Sequence, residues 1–155
     1  MPTRNIVKEG DQCLRKICRP VTDFNSRLHD LLDDMHETLA QANGAGLAAP
    51  QVGVLRRLAL VMLDDGSYLE IINPEIIERK GAQSDVEGCL SIPGVWGIVE
   101  RPMTVTVRAQ DRFGNEFTRK AEGFTARAFC HEIDHLNGHL FTDFVTEYLD
   151  PEELE

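Results

Sequence analysis

The chain contains no apolar run near the roughly 18 residues that cross a bilayer, and it has no surplus of basic charge. Its 16 Lys and Arg stand against 26 Asp and Glu, giving a formal net charge of −10. A nucleic-acid surface needs clustered cations to meet phosphates, so this balance argues against one. The basic residues fall in small groups, Arg15-Lys16, Arg56-Arg57 and Arg119-Lys120, which read as solvated surface. Internal repeats, low-complexity tracts and linkers are all lacking. Met1-Pro2-Thr3-Arg4-Asn5 leads into charged residues and not into an apolar stretch. No secretory leader is therefore expected, and a cytoplasmic location is. The four cysteines, at 13, 18, 89 and 130, show no CxxC spacing. In a reducing compartment they are expected as thiols and not as a disulfide framework.

What is present suits one globular domain over 1–155: 42% hydrophobic and 27% charged residues. Residues 1–22 read as an irregular arm. Asn25 or Ser26 can cap a helix through about Gln41, whose Leu28, Leu31, Leu32, Met35 and Leu39 form one apolar stripe. Asn43-Gly44-Ala45-Gly46 stops it, with the glycines expected to supply positive φ. Leu58–Leu63 and Tyr68–Asn73 predict a hairpin about Asp64-Asp65-Gly66-Ser67, and Glu75–Arg79 a separate short strand. Met103–Arg108 alternates, and Glu116–Lys120 follows a turn. Gly123 opens a helix through Leu136, stopped by Asn137-Gly138. The acidic tail from Asp143 reads as frayed, adding at most a turn or two of helix. The fold class expected is α+β, with mixed or antiparallel sheets packed around a central helix.

That helix holds Cys130-His131-Glu132-Ile133-Asp134-His135. Residues advance about 100° each, so His131 and His135 share a face and two imidazoles there can chelate one metal. Glu132 lies on the flank, placed to handle a proton on water but badly placed as a ligand. The alternative is an amphipathic helix with two solvated or core-satisfied histidines. A third ligand is needed. His139 falls beyond the helix stop, and nothing around Glu147 supports that role. Cys89, in Glu87-Gly88-Cys89-Leu90-Ser91, offers a thiolate for a soft or borderline ion, or else packs as a small apolar residue. Gly44-Ala45-Gly46-Leu47-Ala48-Ala49-Pro50-Gln51 permits close backbone approach beside the Gln51 amide, or is an ordinary helix exit.

Taken together, these three segments resemble the peptide deformylases, whose G-x-G-L-A-A-x-Q, E-G-C-L-S and H-E-x-D-H motifs occur in this order. Ile72-Asn73-Pro74, Pro93-Gly94, Arg101-Pro102 and His135-Leu136-Asn137-Gly138 extend the likeness from about residue 4 to about 146. The resemblance implies a single catalytic domain, a hydrolase that removes the formyl group from the N-terminal formyl-methionine of new proteins and releases formate. It implies that Cys89, His131 and His135 bind one divalent metal, Fe2+ in the cell, with Ni2+, Co2+ or Zn2+ able to substitute. Glu132 would be the general base and then the acid. Gln51 and the Leu90 N–H would stabilise the oxyanion. The substrate backbone would lie along Ala45, Gly46 and Gly88 as an added strand. Val86, Phe124 and Ala128, with Ala45 and His131, would line the methionine pocket. The partners implied are nascent polypeptides bearing N-formyl-methionine and at most a transient ribosome contact, with no membrane or nucleic-acid site and a monomeric state.

Three residues depart from the family pattern. Cys130 stands where relatives often have Gln. Arg127 stands where many have an aliphatic residue bordering the methionine pocket, and is expected to snorkel at the rim, narrow the pocket or alter substrate preference. Trp96 lies where some relatives place a basic residue. Arg101 is expected to pair with a carboxylate such as Asp134. The acidic tail argues against docking through a basic C-terminal helix. Two competing readings are a metallopeptidase, which would want a downstream His or Glu ligand, and an inactive binding module, which would lack Glu132, Gln51 or a ligand.

Overall fold

A computed structural model describes residues 3–150 and 152. Helix α1, Ser26–Ala42, starts where Asn25 turns extended and its side chain accepts from Leu28 N at 3.2 Å. Leu28, Leu31, Leu32, Met35 and Leu39 are buried, as their spacing predicts. The left-handed residue that ends it is Asn43 (φ 57°), not one of the glycines. Asn tolerates that region because its short polar side chain can bond locally. Gly44 answers a different need: a Cβ there would lie 2.9 Å from Leu90 Cδ1.

Five strands form one sheet in the order β1-β2-β3-β6-β7: β1 Gly46–Ala48, β2 Leu58–Met62, β3 Tyr68–Lys80, β6 Thr104–Gln110 and β7 Glu116–Glu122. Three more form a second: β4 Gln83–Cys89, β5 Ile92–Arg101 and β8 Val145–Leu149, in the order β4-β5-β8. Every strand pair is antiparallel, in line with the antiparallel alternative. Strand β2 is a continuous apolar run because both faces are covered. Leu58 and Leu60 join the α1 core, while Ala59 and Val61 join the core beneath helix α2, Gly123–Leu136, with Phe129, Ile133 and Leu136.

Two strand expectations are corrected. Tyr68–Asn73 and Glu75–Arg79 are one strand, β3, interrupted by a register shift between Ile72 and Glu75 with Asn73 at φ 52°. Asn73 supports the irregularity by accepting from Val21 N at 2.8 Å and donating to Val21 O and Gln110 Oε1. The segment expected to fray or coil supplies β8, which pairs with β5. Residues 151 and 153–155 of that tail lie outside the described residues.

Helix α2 keeps its expected ends. Beyond it, Gly138 (φ 81°) lies against the arm, where a Cβ would come within 2.7 Å of Arg15 O. Cys18 N donates to Leu136 O at 2.9 Å. The arm is thus tied down, with a short 3₁₀ turn at Gln12–Arg15 and buried Leu14, Cys18 and Val21.

Candidate metal centre

His131 and His135 lie one turn apart on α2, with ring centroids 5.1 Å apart. Cys89 arrives from the other sheet at the end of β4, where pairing with β5 slips between Glu87 and Cys89. That slip re-aims the side chain and leaves Cys89 Sγ 3.4 Å from His135 Nε2. Donor atoms of Cys89, His131 and His135 all lie within 4.8 Å of one another. One sulfur and two imidazole nitrogens suit a borderline divalent ion, and three protein donors leave a position for water or substrate. The residues present therefore fit a metal. His139 stays outside the group, largely exposed beside Asp143, and Glu147 is exposed on β8.

Around this trio the buried charges are ordered. His131 Nδ1 meets Glu87 Oε1 at 3.0 Å, leaving Nε2 as the ring's other nitrogen. Arg101 donates to both Glu87 oxygens at 2.9 Å and to Asp134 at 2.5 Å, the carboxylate it was expected to find. Burial pushes the Glu87 carboxyl up, but Arg101 and His131 outweigh it and bring its pKa to about 2. Arg127 does not snorkel: it is 4% exposed, with Nη1 donating to Glu87 Oε2 and, at 2.9 Å, to Val99 O. A buried carboxylate supplies the partner that a rim position would have found in water. Burial opposes charge on His131 too, yet Cys89, Glu87 and Glu132 hold its pKa above the usual value; burial, His131 and Arg101 hold that of His135 below it. The neighbouring Cys130 is buried, and its thiol is pushed up to about 11 by desolvation.

Glu132 is 4% exposed, and its Oε1 has no partner among the described residues. Burial, with the Glu87 and Asp134 carboxylates, pushes its pKa up to about 7 against His131 and Arg101. The backbone of β1 is laid on it: a Cβ at Gly46 would come within 2.4 Å of Glu132 Oε2.

Gln51 sits in the 3₁₀ turn Ala49–Val52 that follows β1. Its Oε1 accepts from Ala48 N at 2.9 Å, so its Nε2 points at Ser91 Oγ (3.1 Å) and Cys89 Sγ (3.5 Å). A pocket of about 500 Å³ opens over these groups. Ala45, Gly46, Val86, Gly88, Phe124 and Ala128 are all on its wall, with Gln51, Leu90, Cys89, His131 and Glu132. Its rim carries Trp96, which lies so close on Gly88 that a Cβ there would meet the indole at 2.3 Å. Another cavity, of about 610 Å³ between the β2–β3 turn and β7, mixes Asp64 and Asp65 with Arg119 and Lys120 and touches none of the expected site residues.

Sequence reasoning missed Glu87 and Ser91. Both stand inside the Glu87-Gly88-Cys89-Leu90-Ser91 segment, and a charged side chain next to a Gly-Cys pair was the available signal.

The sequence model of the family described as polypeptide deformylase matches residues 3–149. A peptide deformylase of Caldicellulosiruptor bescii is 55% identical over all of this chain and 93% of its own length. The chain belongs to the polypeptide deformylase family. Solved deformylases agree in fold: that of Thermotoga maritima superposes with a TM-score of 0.92 at 37% identity, covering 94% of this chain and 99% of the other. That of Legionella pneumophila gives 0.88 at 44%, covering 97% and 88%. As a deformylase, this chain is a metal-dependent hydrolase that removes the formyl group from the N-terminus of new proteins. Among the described residues, no helix is long and apolar enough to cross a membrane.

Proposed function

We propose that the chain works as one catalytic domain around α2 as its central helix, with Cys89, His131 and His135 holding the metal. The observation that supports this most is the convergence of those three donors within 4.8 Å beside a buried Glu132 with an unpartnered oxygen. A thiolate with two imidazoles suits a borderline divalent ion, and the likeness to deformylases implies Fe2+ in the cell, with Ni2+, Co2+ or Zn2+ able to substitute. When bound, such an ion supplies a Lewis acid and a water acidic enough to react near neutral pH.

The chain's own residues do the rest. Glu132, buried in the pocket wall with its Oε1 unpartnered among the described residues, takes a proton from the attacking water and returns it to the leaving amine. Gln51 Nε2, held by the Ala48 N–H on its other end, and the backbone N–H of Leu90 donate to the formyl oxygen as it gains charge. The substrate backbone lies along Ala45, Gly46 and Gly88 as an added strand, and Val86, Phe124 and Ala128 enclose the methionine side chain. The substrate is the nascent polypeptide with N-formyl-methionine, met in the cytoplasm by a monomer with at most transient ribosome contact.

The test is the product from formyl-Met-Ala-Ser with protein loaded anaerobically with Fe2+ or Ni2+. Formate and intact Met-Ala-Ser are expected in equal amounts. Cleavage at an internal peptide bond without formate would contradict the reading and favour a metallopeptidase.

A further inference from the structure

Arg127 is the residue that the proposed chemistry leaves unused. It is 4% exposed, lies one helical turn before His131 on α2, and forms part of the pocket wall. Nη1 grips Glu87 Oε2 and the Val99 carbonyl, while Nε and Nη2 have no acceptor among the described residues. Burying a guanidinium with two unmatched nitrogens opposes folding, and a buried ion pair is weak evidence of stabilisation. The arrangement calls for another explanation.

The geometry points to Arg127 as a positioning residue for the metal centre: through Glu87 it fixes the ring of His131. Arg101 already forks Glu87, with Nε on Oε2 and Nη2 on Oε1, and gives its Nη1 to Asp134. Arg127 adds a second cation on Oε2, from the same helix that carries His131. Oε2 is thus held by both guanidiniums, and Oε1, which also accepts from Arg101 Nη2, meets His131 Nδ1 at 3.0 Å. A carboxylate held this way sets the tautomer and rotation of a ligating imidazole. Arg127 also forms part of the pocket wall, so the group that steadies His131 borders the proposed substrate site.

This inference rests on the proposed ligand set, and its test separates the two. The full chain and its Arg127→Leu, Arg127→Gln and Arg127→Lys variants are loaded anaerobically with Co2+. Visible absorption then reports ligand geometry, and a chelator reports the rate of metal release. Release is expected to quicken about 10- to 100-fold in the leucine and glutamine variants. The thiolate and ligand-field bands should shift, and kcat should fall more than KM rises. Lysine, which restores a cation, should recover part of each effect. Gln retains a donor and much of the side-chain volume, so the comparison survives if the leucine variant does not fold. Combining Arg127→Gln with Glu87→Gln should add little to either alone, since both act on His131. Release within twofold of the parent with unchanged bands would overturn the inference even if thermal stability fell. A parent chain that takes up no Co2+ would overturn the ligand set, and this inference with it.

Discussion

Glu70 and Glu87 are both carboxylates held by arginine and histidine. Glu70, on β3, accepts from Arg112 at 3.0 and 2.5 Å and lies 2.8 Å from His36 Nε2. Glu87, on β4, has Arg101, Arg127 and His131. Burial raises both pKa values, and the cations then bring both to about 2. Electrostatics alone would not say which one serves chemistry. The difference lies in what surrounds them. Arg112, also bonded to Asp33, joins α1 to the sheet and closes that cluster on itself. Around Glu87, atoms are left over: Arg127 Nε and Nη2, Glu132 Oε1 and His135 Nδ1 account for all but one of the unmatched buried side-chain atoms among the described residues. Buried polar groups are normally paired, so these orphans beside a pocket mark the functional cluster better than a shifted pKa does.

Substitutions can break or sharpen this contrast. Cys89→Ala should remove metal binding and lower formate release by more than the about 100-fold that loss of a ligand's supporting partner produces. Metal content by mass spectrometry and a formate assay check this. Glu87→Gln leaves two buried guanidiniums short of charge and should destabilise the fold by about 3–5 kcal/mol, read by urea denaturation. Gly46→Ala drives a methyl into Glu132 and should cost about 1–3 kcal/mol along with most of the activity. Wild-type turnover in that variant would show that β1 does not press on Glu132. Glu70→Gln, in a more open cluster than that of Glu87, should destabilise the fold less than Glu87→Gln does and leave formate release unchanged.

Acid offers a finer comparison. Each of the two carboxylates has a folded pKa near 2 against an ordinary value of 4.5. Their contribution to stability is complete above 4.5 and is lost as pH falls toward 2. Melting temperature should therefore drop across that window. Glu70→Gln should flatten the drop while activity at neutral pH stays intact, so an unchanged acid limb would remove Glu70 from the account.

Much of this was legible in the sequence. Asn25, the α1 stripe, the hairpin at Asp64–Ser67 and both ends of α2 follow local rules of capping, period and turn chemistry. The Cys89, His131 and His135 convergence was legible through motifs, because one pair is set by helical spacing and the third donor by a Gly-Cys segment. Strands β4 and β8 were not. Gln-Ser-Asp-Val-Glu-Gly-Cys and Val-Thr-Glu-Tyr-Leu lack a clean apolar alternation, since each bounds a small sheet and exposes much of its length. Their strand state comes from pairing with β5. The snorkelling alternative for Arg127 fails for a related reason: its burial depends on Glu87, 40 residues away, and no local pattern announces such a partner.

The most direct measurement is formate release from formyl-Met-Ala-Ser by the metal-loaded parent and by Glu132→Ala, with bound metal counted in both. One metal per chain is expected in each, with a loss of turnover of about 10²- to 10⁴-fold in the variant. Full turnover by Glu132→Ala with its metal in place would contradict the role given to Glu132, and with it the central reading of this site.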